Sequence, residues 1–139
     1  MVQGYKGSRK IVETFPFVGA NLTNVGGTLT FPGTLGSTSF WLHRRGSVIG
    51  FSGSLNAAMT TGTLTFQPVI NGSLAPVFSD ARFHVSSQAN YQTLDANTDN
   101  YIFTAGQSLG LSYTSSDTVA PLTVDGIFII EVLLEEAHY

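Results

Sequence analysis

At 139 residues, with a net charge of −3 and no cysteine, the chain is sized for one domain. It excludes a disulfide framework, a thiolate metal site and a basic surface for nucleic acid. Charged residues are only 11% of the sequence, while 15 glycines and 12% aromatics accompany regular apolar runs, which excludes disorder and suits a protein that covers its surface with other chains.

The first 14 residues stand apart. They hold Lys6, Arg9 and Lys10, half of the six basic residues, with Ile11-Val12 as their apolar pair. Two readings stand: a solvated terminus, or an arm that orders on a neighbouring subunit by adding a strand to a sheet edge. The domain division expected is therefore an N-terminal arm over 1–14 and a β-sandwich over 15–139. From Thr14 to Gly36, Val25, Leu29 and Phe31 share one face of an extended segment bent by Pro16, Pro32 and Gly26-Gly27. Ser39 to His43 reads as a short strand with Phe40 and Leu42 on one face and Trp41 on the other, turned by Arg44-Arg45-Gly46.

Ser47 to Ala57 alternates cleanly, with Ile49, Phe51, Gly53, Leu55 and Ala57 on one side and small polar residues on the other. Thr63 to Ile70 follows with Leu64, Phe66 and Ile70 on one face, and Asn71-Gly72 is a strong turn signal. Leu74–Val77 and Ala81–Ser86 read as short strands, the second with Phe83 and Val85 inward and Arg82 and His84 outward. Residues 88–100 read as a polar surface loop. Leu109, Leu111 and Tyr113 alternate with Ser108, Gly110 and Ser112, and 122–135 is the last strand. It is apolar on both faces up to Glu131, so a central place or a subunit interface is expected. Short strands at this spacing without a helical period predict an all-β fold, a single antiparallel sandwich or barrel.

Catalytic signals are weak. Gly50-Phe-Ser52-Gly-Ser54 lacks the last glycine of a nucleophile elbow and lies within a strand. His43, His84 and His138 are far apart, with no carboxylate at ligand spacing. Asp95-Ala-Asn97-Thr-Asp99 begins like a calcium loop, but Asn100 stands where the motif needs glycine and the distal Glu is missing. The expectation is a protein that is not an enzyme and holds no metal or cofactor. Trp41 with Arg44 and Arg45 offers either a small sugar-stacking or anion-binding patch, or a core tryptophan beside two solvated arginines; the second is the more ordinary arrangement.

The order of pieces from Arg45 to Glu135 carries a resemblance. Gly-Ser-Val-Ile-Gly-Phe-Ser-Gly-Ser-Leu is followed by Gly-Thr-Leu-Thr-Phe-Gln-Pro-Val-Ile-Asn-Gly, then Phe-Thr-Ala-Gly-Gln-Ser-Leu-Gly-Leu-Ser-Tyr, then a closing apolar strand. This resembles the small jelly-roll modules of bacteriophage virions, the capsid decoration (cement) proteins and fibre heads. It is similar in outline to the trimeric jelly rolls of the tumour-necrosis-factor type. It covers about two-thirds of the chain and marks strands and turns, not an active site. It implies a jelly roll and a homotrimer whose axis takes apolar residues from the last strands; the first 45 residues fall outside the likeness, so the extended N-terminal arm rests on composition alone. The candidates are Tyr113, Phe128 and Ile130, with ordinary core packing as the open alternative. It further implies binding to the major capsid protein on the capsid exterior of a virion assembled in a bacterial cytoplasm, with no nucleic-acid or membrane partner. Lys6, Arg9, Lys10, Ile11 and Val12 would make the arm contact. The chain's own Met1 and short leading segment favour decoration over a fibre head that binds a host receptor or glycan. A carbohydrate-binding module would need an exposed aromatic platform, for which Trp41 is the strong candidate.

Overall fold

The computed structural model describes residues 8–19, 22, 26–31, 38–78, 82–94, 99–116 and 123–135. Among these residues ten strands are shared between two antiparallel sheets: β1 (Ser8–Gly19), β2 (Gly27–Thr28), β3 (Ser39–Trp41), β4 (Gly46–Leu55), β5 (Leu64–Ile70), β6 (Ser73–Leu74), β7 (Ala89–Thr93), β8 (Ile102–Phe103), β9 (Ser108–Ser115) and β10 (Val124–Glu135). Sheet A runs β1-β10-β4-β7, with β8 also on β4; sheet B runs β2-β9-β5-β6, with β3 also on β9. Since β2 and β3 both lie on β9, and β7 and β8 both on β4, each pair acts as one interrupted strand. Two facing sheets of four strands in this order are the topology of a jelly roll.

Phenylalanine fills the space between the sheets. Of the ten in the chain, eight are fully buried: Phe17, Phe31, Phe51, Phe66, Phe78, Phe83, Phe103 and Phe128. Phe51 of sheet A joins the layers, with its ring 5.2 Å from Phe17, 4.8 Å from Phe66 and 5.2 Å from Phe78. Offset and tilted packing at such spacing adds about 0.5–1.5 kcal/mol per pair beyond burial.

The alternation expected for β4 holds from Phe51 to Leu55 and fails before it. The pairing of β10 with β4 slips between Ile129 and Ile130, which face Gly50 and Val48. Ile49 is the extra residue of this bulge, so Val48 enters the core and Ile49 stays half-buried. Ala57 lies beyond the strand and is exposed. Asn71 and Gly72, at φ 53° and 82°, form the two-residue turn that pairs Ile70 with Ser73.

Other expectations need correction. Residues 88–100 are not all loop: Ala89–Thr93 is a strand on β4. The strands expected over 74–77 and 81–86 shrink to β6 and a single bridge between Leu64 and Phe83. Val85 is turned out to solvent, next to Ser86 at φ 74°. Val25 falls outside the described residues.

The arm boundary also moves. β1 pairs with β10 along its whole length, from Ser8 opposite Glu135 to Gly19 opposite Val124, so a division at 14/15 falls inside a strand. On its β10 side the backbone of β1 is bonded within the chain, while its other side is a sheet edge that carries the isolated bridge from Val18 to Thr30.

Candidate functional surfaces

Parity along β10 sorts its apolar residues. Val124, Phe128, Ile130 and Val132 face the core and are buried, whereas Ile127 is 38% exposed and Ile129 half-buried on the outer face. Phe128 and Ile130 are wholly buried inside one chain, and Tyr113 nearly so. They cannot line a threefold axis, because a side chain consumed by its own core has no surface for a partner. The face of β10 that stays outward is the opposite one, with Ile127 and Ile129.

That outer face is built by register. Pro16 of β1, Ile127 of β10, Ser52 of β4 and Tyr91 of β7 stand opposite one another in one row. Thr14, Ile129, Gly50 and Thr93 form the next row. Neither row contains a charge. Tyr91 is 70% exposed, and Val12, beyond the second row, 59%. The strip is uncharged across four strands, with Pro16, Ile127, Ile129 and Tyr91 supplying apolar surface among the hydroxyls of Thr14, Ser52 and Thr93. Its charges lie at the ends: Ser54 donates to the Asp125 carboxylate at 3.1 Å, and Lys10 lies 3.6 Å from Glu131. Both partners of the latter pair keep contact with solvent, so it is weak. Lys10 thus meets its own chain's Glu131. Arg9 sits in β1 opposite Leu134, and Lys6 lies outside the described residues.

A second surface opens where the sheets part, between edge strand β1 and short β3. The cleft measures about 440 Å³. Alternate residues of β1 line it, with Phe15 half-buried and Glu13 and Ile11 exposed, beyond the fully buried Phe17. Phe40 of β3 meets Phe15 ring to ring at 4.2 Å and Phe31 edge-on at 5.0 Å. The two phenylalanines not fully buried are therefore the pair at the cleft floor. Trp41, on the other parity of β3, stands on the rim and is 68% exposed, so it is not a core tryptophan.

Main-chain bonds fix the rim: Leu42 N–H donates to Gln107 C=O at 2.8 Å, and Gly106 N–H to Leu42 C=O at 2.7 Å. His43, Arg44 and Arg45 then cross to β4 in three exposed residues. The crossing enters β4 at Gly46, where any Cβ would run into the Glu131 carbonyl oxygen and the Phe103 ring. His43 and Arg44 line the cleft opposite Glu13 of β1. The arrangement can stack, pack and pair charges. Among the described residues no three His, Asp or Glu side chains gather as a metal site would need. His84 is exposed beyond sheet B's end, and Asp95 lies outside the described residues.

Sequence reasoning missed Tyr91 and the Ile127–Ile129 face. The signal was present in the two-sided apolarity of β10, but parity alone did not say which side was inward.

No protein-family model and no curated protein matches the sequence. Among solved structures, a CBM36-1 domain of a multidomain xylanase from the hindgut metagenome of Trinervitermes trinervoides is similar at 8% identity over 93% of this chain and 99% of that one, with a TM-score of 0.48. A chain of the cyanophage Pam1 capsid asymmetric unit is similar at 14% identity over 98% and 92%, with a TM-score of 0.47. The VP2 subviral particle of infectious bursal disease virus gives 15% identity, 93% and 33% coverage and a TM-score of 0.47. These are likenesses of overall shape and bear on neither surface.

Proposed function

We propose that the chain is a structural virion protein that self-assembles, as a trimer, and decorates the exterior of a phage capsid by binding its major capsid protein. The observation that supports this most is the uncharged apolar outer face of sheet A, centred on Ile127 and Ile129. Covering such a face removes apolar surface from water at about 25 cal/mol per Å². A ligand that binds only the assembled lattice stabilises it by mass action, and repeated copies multiply weak contacts.

The test pairs solution mass by light scattering with co-sedimentation on expanded capsids. A particle near three times 14.8 kDa that binds shells is the expected result. Deletion of residues 1–7, which leaves β1 whole, then asks whether the leading segment reaches the shell. A monomer indifferent to capsids would sink the reading.

A second reading, a fibre head or appendage module that binds a host glycan, is favoured by one observation. Trp41 is 68% exposed beside Arg44 on the cleft rim, the platform such binding requires. Glycan-array binding lost in Trp41→Ala would favour it over decoration.

A further inference from the structure

We propose that the outer face of sheet B, where β5 begins, binds the carboxylate of an acidic sugar. The place is a depression of about 230 Å³ lined by Thr63, Thr65, Arg82, Thr114, Ser115 and Ser116. It shares no residue with the sheet A face or the cleft. Parity creates it: Leu64, Phe66 and Tyr113 take the inward positions of β5 and β9, which leaves Thr65 opposite Thr114 on the outside. The bridge from Phe83 to Leu64 buries Phe83 and so turns its neighbour Arg82 outward over these hydroxyls. The Arg82 carbonyl accepts from Asn90 Nδ2 at 2.7 Å, which pins the backbone.

Among the described residues, Arg82 Nε is the buried side-chain polar atom that makes no hydrogen bond. A buried donor without a partner forfeits its hydration, so its place in the fold asks for an acceptor. The hydroxyls have bonds to offer as well. Thr65 and Thr114 share one hydrogen bond of 2.5 Å and Thr65 Oγ1 also reaches the Thr114 carbonyl at 3.5 Å, so this pair holds its own protons and offers acceptor lone pairs. Ser116 Oγ accepts from both Thr63 Oγ1, at 2.6 Å, and Thr63 N–H, at 3.0 Å, so its own O–H is available.

Among the described residues the lining carries one guanidinium and no carboxylate. One positive charge balances one carboxylate, whose two oxygens match the planar Nε–Nη edge; a phosphate dianion would leave charge unbalanced. Hydroxyls that both donate and accept suit the ring hydroxyls of a sugar. At about 30 Å³ per displaced water, the depression holds a single ring and not a chain.

The experiment is an NMR titration of the full chain with sodium glucuronate, with glucose and with inorganic phosphate. Glucuronate should move the amides of Thr65, Thr114 and Ser116 with a dissociation constant on the order of 1 mM. Glucose should bind at least about tenfold more weakly. Arg82→Gln should abolish the response, Arg82→Lys should weaken it about tenfold because it keeps the charge without the fork, and Trp41→Ala should leave it intact. No saturable shift with glucuronate, an equal response to glucose, or tighter binding of phosphate would each overturn the proposal. These wild-type outcomes decide even where an Arg82 variant does not fold.

Discussion

Phe128 and Ile130 on one face of β10, and Ile127 and Ile129 on the other, are equally apolar side chains in one strand. The first pair is sealed between the sheets, while the second lies against solvent in an uncharged strip. Hydrophobicity alone therefore does not define the core. The inner residues hold the fold together, and the outer ones are spared that task.

The sharpest way to break this distinction is to cut each face in turn. Phe128→Ala should cost about 3–5 kcal/mol of folding stability in urea denaturation, whatever the protein concentration. Ile127→Asp should instead leave folding within about 0.5 kcal/mol, since it alters an outward position. It should weaken self-association roughly a hundredfold, about 3 kcal/mol, read as a fall toward the 14.8 kDa monomer in light scattering. If Ile127→Asp unfolds the chain as Phe128→Ala does, the two faces are not different in kind.

Smaller effects sharpen the boundary of the core. Tyr101 is buried and donates to the Pro76 carbonyl at 3.1 Å, and burial pushes its phenol above the usual value. The folded chain thus keeps this proton where the unfolded chain releases it. Its stabilising share is full below about pH 10 and is lost as pH rises through the folded value. Tyr101→Phe should cost about 1 kcal/mol at neutral pH and flatten the alkaline decline, as thermal melts across pH would register. The least effect is expected from Lys10→Ala. Its ion pair with Glu131 is solvent-screened, so stability should fall by no more than about 0.5 kcal/mol, a difference that disappears in high salt.

Where one side of a strand enters the core and the other does not, the sequence is readable: Leu64-Thr-Phe66 and Leu109-Gly-Leu111-Ser-Tyr113 show their inward faces directly. β7 was illegible because Ala89, Tyr91 and Thr93 are exposed, so no apolar period marks it. The bulge at Ile49 is set by the register of β10, a residue pairing that local alternation does not encode. β10 itself was legible as a strand but not as to its sides, because both are apolar and only its neighbours β1 and β4 decide which is enclosed. Trp41 sits in a three-residue strand, too short for any pattern to say whether it is covered. Arg82 was correctly read as outward, yet its unpartnered Nε depends on a bridge between segments far apart in sequence.

The central position of β10 has a consequence for how the molecule comes into being. It lies between β1 and β4, so a strand made long after β1 is the one that joins β1 to the rest of its sheet. Until then β1 has only the bridge from Val18 to Thr30 among the described residues, and the edge of β4 that β10 covers stays open. Loop closure of this span delays the rewarding contacts until β10 has been made, so sheet A should form slowly. A nascent chain stalled before residue 124 should therefore remain sensitive to protease along β1, however much of sheet B it has already built.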